Sequence, residues 1–398
     1  MKIVIIIPTY NEKENIARTI ENLEQEFSKI KKHKLNILVF DSNSPDGTAE
    51  IVEKLGKKYK NIQVVREKEK SGLGGAYIQG MYYAMDKMKA DAVFEYDADG
   101  SHLPKYVPGM IEALDKGADA VVGSRYIPGG KMPDNWGLHR KIVSFLGNLI
   151  ARVVLLTPQY HDMTSGFRGT KTKWLKKINL NKLLSKQFAY KIHLYYALHK
   201  LGAKIVEYPI EFVDRSKGKS KFPRNNIRDS LRVVFTLRLR ESQQFIKFCV
   251  VGFIGFLVNS LGIELFYNLS LVKQLAQMFS SFAGRPVVGL LAIPSSWSGA
   301  GGAELAIISN FILNNIWTFK QKKITNPIKL FMKFIQFNLT SIGAVIIQFV
   351  AIGGATLMFG DTLAVRQIAF ILALGFLIIP YNYLMYTRVI WKTHQKVK

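Results

Sequence analysis

Two carboxylates and a hydroxyl fall within five residues at Asp97-Ala98-Asp99-Gly100-Ser101. Oxygen ligands of this kind suit a hard divalent ion. Mg²⁺ takes only one or two protein carboxylates, keeps several waters and fills its shell with substrate phosphates. A sparse Asp pair is therefore chemically sufficient for Mg²⁺ or Mn²⁺ beside a diphosphate, and Asp97, Asp99 and Ser101 are the candidate metal ligands. Asp-x-Asp alone decides nothing, because a turn with two solvated Asp residues reads the same way.

Three further polar clusters stand in comparable places: Pro8-Thr9-Tyr10-Asn11-Glu12, Asp41-Ser42-Asn43-Ser44-Pro45-Asp46-Gly47-Thr48 and Gly123-Ser124-Arg125. Each closes a short apolar run. Ile3 to Ile7, Leu35 to Phe40, Ile62 to Val65, Ala92 to Tyr96 and Ala120 to Val122 read as strands. Helical stretches near Asn15 to Phe27, Ala49 to Tyr59 and Tyr106 to Asp115 alternate with them, as does a helix opened by the Gly-rich Ser71 to Gly75. This rhythm predicts an α/β domain with a mostly parallel, Rossmann-like sheet and helices on both faces. Ligands of such sheets collect at the carboxyl ends of the strands, where all four clusters lie. The run Ile3 to Ile7 is too short for a signal-peptide core and reads as a buried strand.

Cations gather in three places: Gly123-Ser124-Arg125, His139-Arg140-Lys141 with Ser144 one helical turn on, and Arg215 to Lys221. Together they offer fork-like and point charges for a phosphate. Each cation taken singly is equally a solvated surface charge. His102, beside the Asp pair, and His161-Asp162 admit a site role or a structural hydrogen bond.

The chain has 398 residues and a net charge of +26. Residues 1 to about 243 carry +16 and mix charged with apolar positions, whereas 245 to 398 carries +10 in long apolar runs with 3 acids. Two domains are expected on length alone. A basic chain that also spans a bilayer meets anionic lipid headgroups or phosphorylated substrates, so membrane lipids are expected as partners and nucleic acid is not. Cys249 is the single cysteine and sits in an apolar run, which excludes a disulfide framework and a thiolate metal site. The catalytic part is expected in the cytosol.

From Arg215 to Arg240 nine basic residues face the single acid Asp229 and are interleaved with apolar positions. Residues 222–244 thus read as an amphipathic interfacial linker between a domain over 1–221 and a transmembrane domain over 245–398. Apolar stretches at about 246–269, 303–319, 334–358 and 367–387 approach the roughly 20 residues that cross the hydrocarbon. Lys and Arg flank their two ends and the middle loop, which places those segments in the cytoplasm. The loop 270–302 is expected outside or re-entering the membrane.

The clusters at 8–12, 41–48 and 97–101, in that order, resemble the family 2 glycosyltransferases over residues 1–221. Ser44 to Thr48, Lys70 to Gly74, Asp97 to Pro104, Gly123 to Tyr126 and Thr164 to Arg168 look most like the dolichol-phosphate mannose synthases. Asn310, Asn314, Asn315, Trp317 to Phe319 and Tyr381 to Tyr383 with Tyr386 to Arg388 resemble the GtrA-like four-helix module. The resemblance implies a GT-A fold and metal-dependent, inverting transfer of mannose from GDP-mannose to dolichyl (polyprenyl) phosphate. It puts Pro8, Tyr10, Glu12, Val39, Asp41, Lys70, Asp97 and Ala98 on the donor nucleotide, and the metal at Asp97, Asp99 and Ser101. Acceptor-phosphate contacts fall on Arg125, Arg140, Ser144, Arg215 and Lys221, with Asp99, Arg125, Arg140 and Arg215 as the catalytic set. Ser42 departs from the commoner pattern, in which a second Asp follows the first. The alternatives are a UDP-glucose-dependent glucosyltransferase on the same acceptor, or a lipid-linked sugar translocator whose transferase-like part only binds ligand.

Overall fold

The computed structural model describes residues 1–214, 225–285, 291–292, 294–360 and 363–393. The chain divides into two compact units, Met1–Arg240 and Glu241–Lys398.

In the first unit the elements alternate as the hydropathy pattern requires. They are β1 (Lys2–Thr9), α1 (Ile16–Phe27), β2 (Lys34–Asp41), α2 (Thr48–Lys58), β3 (Ile62–Arg66), α3 (Leu73–Asp86), β4 (Ala92–Glu95) and α4 (Val107–Asp115). Then follow β5 (Ala120–Ser124), α5 (Leu138–Val154), β6 (Arg168–Lys171), α6 (Thr172–Leu175), α7 (Tyr190–Lys200) and β7 (Ile205–Pro209). The seven strands form one sheet in the order β3-β2-β1-β4-β6-β5-β7. Only β6 runs antiparallel, to β4 on one side and β5 on the other. After β3 the chain returns to the far side of β1, so the order reverses between β1 and β4 and leaves a crevice at their carboxyl ends.

Both faces of the sheet are covered, which explains why β1 is a continuous apolar run rather than an alternating one. Ile3, Ile5 and Ile7 pack with Ile16, Ile20 and Leu23 of α1 and with Met110 and Leu114 of α4. Val4 and Ile6 face the opposite way, onto Tyr77 and Met81 of α3 and Leu194 of α7.

Residues 226–244 of the expected linker and the stretch expected as the first span lie in one helix, α8 (Asn226–Tyr267). Within the first unit its Val233, Val234 and Leu237 pack on Ala151 of α5 and on Ile192 and Tyr196 of α7. Among the described residues α8 is the one helix long and apolar enough by itself to cross a membrane.

The second unit continues with α9 (Ser270–Met278), α10 (Pro294–Leu313), α11 (Pro327–Phe359), α12 (Leu363–Ala373) and α13 (Ile379–Met385). The expected stretch 303–319 is α10 extended by a π-helical turn at Asn314–Thr318, and 367–387 is α12 and α13 joined through a second such turn at Leu374–Ile378. An aromatic cluster of Phe248, Phe311, Phe319, Phe337, Tyr386 and Trp391 forms the packed end of this unit. Asn315 fastens it, accepting from Trp391 Nε1 at 3.1 Å and from the Ile324 amide at 2.8 Å. Phe253, Phe256, Leu261, Phe331, Leu339 and Phe376 point outward. So many large apolar side chains facing out call for lipid rather than water.

Candidate active site

The loops after β1 and β2 are fastened to each other. Thr9 Oγ1 and Ser44 Oγ donate to Asp41 Oδ1 at 2.7 and 2.6 Å, and the Ser44 amide donates to Asp41 Oδ2 at 2.8 Å. The amides of Asn11, Glu12 and Lys13 donate across to Ser44 Oγ, Thr48 Oγ1 and Asp46 Oδ2. Asn11 and Asn43 adopt left-handed backbone at φ 54° and 55°, which Asn tolerates better than most residues. Asp41, 1% exposed, thus holds the floor of the loop pair in place.

Beside it, Ser42 Oγ donates to Glu67 Oε2 at 2.5 Å, and the same carboxylate accepts from Ser71 Oγ and, at 2.7 Å, from Gln79 Nε2. The hydroxyl at position 42 therefore faces a ready-made carboxylate, where a second Asp would meet like charge. Glu67 is a hub that the sequence reading did not single out. Lys70 lays its ammonium 3.3 Å from the centroid of the Tyr10 ring. Gly72, at φ +85°, closes against Lys186 and Gln187, so a Cβ there would strike both. The Gly-rich stretch at the start of α3 is thus a packing device that also borders the site.

At the end of β4, Asp97 Oδ1 accepts from Tyr77 OH at 2.8 Å. The Asp97 amide donates to His102 Nδ1 at 3.1 Å, which fixes the ring so that Nε2 faces Asp97 Oδ2 at 3.6 Å. His102 is buried, stacked on Phe167 with centroids 5.0 Å apart, and burial pushes its pKa down against the pull of Asp97. It holds the Asp97 loop from beneath. Asp99 Oδ1 accepts from the Ser101 amide at 3.1 Å, while Ser101 Oγ is buried without a hydrogen-bond partner among the described residues.

That orphaned hydroxyl beside two carboxylates is an all-oxygen donor set that fits a hard divalent ion. No cluster of three or more His, Cys, Asp or Glu forms a cage among the described residues. An ion held here would need further oxygens from elsewhere.

The opposite side of the crevice is cationic. Arg125 makes a bidentate pair with Asp162, at 2.7 Å from Nε and 2.8 Å from Nη2, and its Nη2 also donates to Thr164 Oγ1 at 3.0 Å. Burial works to raise the Asp162 carboxyl, but the Arg125 guanidinium overrides it and holds the group below its ordinary value. Glu207 in turn accepts from the amides of His161 and Asp162 at 2.9 and 2.7 Å and pairs with His161 Nδ1 at 2.8 Å. His161 and Asp162 are therefore structural, and Arg125 is 9% exposed behind them.

Arg140, on α5, stands 3.8 Å over the Trp136 ring, approaches Asp214 at 3.6 Å and keeps 46% of its side chain exposed. Ser144 Oγ bonds Tyr126 OH at 2.6 Å. Arg168 clamps the loop before β6 through the carbonyls of Ser165, Met163 and Lys191.

A cavity of about 600 Å³ opens between these two sides. Of the expected residues, Pro8, Tyr10, Glu12, Lys70, Asp97, Ala98, Asp99, Ser101 and Arg140 line it. Asp41 and Arg125 lie behind the lining, and Val39 is fully buried in the core and in the sheet between β1 and β3, away from the cavity. Arg215 and Lys221 lie outside the described residues. Lys191, which the sequence reading passed over, lies on the floor of the cavity with its ammonium buried and without a hydrogen-bond partner among the described residues. A hollow of about 750 Å³ at the amino ends of β2 and β3 gathers none of the strand-end clusters.

A nucleotide-type crevice with an Asp-x-Asp loop at the switch point of a mostly parallel sheet defines the class of the first unit. Residues 4–179 match the glycosyl transferase family 2 model, and residues 247–391 match the GtrA/DPMS transmembrane domain. The dolichol-phosphate mannosyltransferase of Pyrococcus furiosus is 31% identical over 355 residues, covering 88% of this chain and 89% of that protein. The undecaprenyl-phosphate mannosyltransferase of Micrococcus luteus is 38% identical over 221 residues, 56% of this chain and 87% of its own. The polyprenol monophosphomannose synthase of Mycolicibacterium smegmatis is 35% identical over 229 residues, 57% of this chain and 83% of its own. The chain belongs to the family 2 glycosyltransferases, in the dolichol-phosphate mannosyltransferase group that carries a GtrA/DPMS transmembrane domain.

Proposed function

We propose that the protein transfers mannose from GDP-mannose to dolichyl (polyprenyl) phosphate, with inversion, giving dolichyl phosphate mannose and GDP. The observation that carries this reading is the pairing of a carboxylate wall at Asp97 and Asp99 with α5, whose first turn brings Arg140 to the cleft. On either side of Arg140, α5 leaves Leu138, Ile142, Phe145, Leu146, Leu149 and Val153 exposed, Leu138 at 74%. A phosphate on a long apolar tail suits a helix with a cation at the cleft and apolar side chains along its length. The names of the three relatives agree with such an acceptor.

The acceptor makes a protein base unnecessary. A phosphomonoester has its second pKa near 6, so its oxygen is largely ionised at neutral pH and attacks the anomeric carbon directly. A bond forms from phosphate oxygen to the anomeric carbon as the bond to the nucleoside diphosphate breaks on the opposite face. Arg140 orients the nucleophile. Tyr10, Lys70 and the backbone around Ala98 hold the nucleotide, and Tyr77 and His102 keep Asp97 in register. Asp97, Asp99 and Ser101 would hold Mg²⁺ or Mn²⁺, which when bound neutralises charge on the departing diphosphate. Lys and Arg at the flanks of the helical unit support a cytoplasmic catalytic side.

The test is a donor screen with the purified full chain in detergent, dolichyl phosphate and Mg²⁺ or Mn²⁺. Lipid-linked mannose from GDP-mannose is expected. Glucose transfer from UDP-glucose alone would reassign the sugar, and undiminished turnover in excess EDTA would remove the metal from the mechanism.

A further inference from the structure

Lys191 sits at the start of α7 with no exposed surface, yet it lines the cavity. Its ammonium has no hydrogen-bond partner among the described residues. The space around it is tightly defined: a Cβ on Gly166 would collide with Nζ, and Asp97 Oδ2 and the His102 ring border the same point. The Phe188 and Tyr77 rings stand 4.8 and 5.7 Å away. Among the described residues the charges that act on it are the carboxylates of Asp97 and Glu95 and the guanidinium groups of Arg168 and Arg125. Glu95 already accepts from Tyr190 OH and Asp97 from Tyr77 OH.

A buried ammonium left without an acceptor is costly, and a lysine kept only to balance charge is expected to bond one of its carboxylates. Lys191 bonds neither, and its three donors border the cavity. The ligand it awaits must accept hydrogen bonds and carry negative charge. Resting on the reading of the cleft above, two such groups enter it, the diphosphate of the donor and the phosphate of the acceptor. They repel each other and must meet at one carbon atom.

We propose that Lys191 Nζ binds a phosphoryl oxygen on the cleft floor and offsets the repulsion between the two substrates. The chemistry is that of a Lys–phosphate contact whichever substrate supplies the oxygen.

The test uses the full chain in detergent with Mg²⁺, comparing the parent with Lys191→Met, which keeps volume and stem, and Lys191→Gln. Calorimetric titration measures GDP or UDP, whichever the parent binds, and separately a short-chain polyprenyl phosphate. The expected result is a tenfold or larger rise in one dissociation constant in both variants, with the melting temperature unchanged or raised. A rise confined to the nucleoside diphosphate assigns the contact to the donor, and one confined to the polyprenyl phosphate assigns it to the acceptor. Both constants within twofold of the parent would overturn the contact while leaving the reading of the cleft standing. Loss of both together with a fall in melting temperature in both variants would show a collapsed floor and also overturn it. A parent that binds neither anion would overturn the underlying reading and this contact with it.

Discussion

On the carboxylate wall, Asp41 and Glu67 are each held by three neutral donors, and Asp97 by Tyr77 OH. On the cationic wall, Arg125 is held by a carboxylate, Asp162, and Arg140 by an aromatic ring and a looser approach to Asp214. Neutral donors orient a carboxylate without an ion pair, so Asp41 and Glu67 give the first wall a fixed geometry before any ligand arrives. Ion pairs cancel charge as they orient it. The second wall therefore divides its labour: Arg125 braces the loop, and the half-exposed Arg140 remains able to turn toward a phosphate.

The sharpest way to break this contrast is at Asp99. Asp99→Asn keeps the side-chain shape and one acceptor for the Ser101 amide but removes the charge. Turnover should fall about 10³-fold or more, several kcal/mol of transition-state stabilisation, while the melting temperature stays within a few degrees. A steady-state assay beside a thermal melt checks both, and turnover within tenfold of the parent would remove Asp99 from the chemistry. Next in size is Asp162→Asn, which leaves the buried Arg125 guanidinium without its charge partner. A loss of about 3 kcal/mol of stability is expected from denaturant unfolding. The double variant Asp162→Leu/Arg125→Met should recover much of that stability. If the double variant also keeps activity, Arg125 is a brace; if it folds but loses acceptor turnover, Arg125 reaches the substrate.

The carboxylate wall was legible in the sequence because its members lie within a few residues of strand ends, and a parallel sheet sends strand ends to one place. Pro8 to Glu12 and Asp97 to Ser101 need no long-range partner to be noticed. The hubs were not legible, since Glu67 reads as one more acid in a charged loop and reaches Ser42 only across the sheet. Lys191 lies in Tyr190-Lys191-Ile192-His193-Leu194, where nothing local marks a lone lysine as internal, and only the approach of Gly166 and Asp97 shows it to be so. Arg125 was legible as a cation but not as a spoken-for one, because Asp162 is 37 residues away. Strands β6 and β7 were missed because short runs such as Arg168–Lys171 carry little apolar signal of their own. The apolar face of Leu138, Ile142, Leu146, Leu149 and Val153 was passed over, and periodicity would mark such a face without saying whether protein or lipid covers it.

A smaller effect should follow at Arg140. Arg140→Ala removes one charge-assisted contact of about 1.5–3 kcal/mol, so KM for polyprenyl phosphate should rise roughly ten- to hundredfold. KM for the nucleotide sugar and the melting temperature should change little, since an exposed cation contributes little to folding. A rise in donor KM of equal size would erase the distinction between the walls.

The smallest effect is a difference in how the two walls meet acid. His193 on α7 accepts the Leu184 amide on Nδ1 at 3.0 Å, and this holds the loop that carries Gln187 and Phe188 to the cavity. Burial, helped by Arg240, lowers its pKa from 6.5 to about 4. A folded-state value below the unfolded one means that the unfolded chain takes up the proton first as pH falls. The neutral ring's contribution is thus complete above about pH 6.5 and is lost progressively toward pH 4. Because the ring is only partly buried, the contribution is discounted to about 1–2 kcal/mol, or a few degrees in melting temperature. On the cationic wall Asp162 is held below its ordinary value and stays ionised through this window, so the Arg125 pair persists. Between pH 6.5 and 4.5 the melting temperature should therefore fall, while the folded-state ring that anchors the nucleotide-side loop takes up its own proton only as pH nears 4. His193→Asn, whose amide oxygen can accept the same hydrogen bond without titrating, should flatten the melting profile. An unchanged slope in that variant would move the acid sensitivity to another group and leave the two walls alike in this respect.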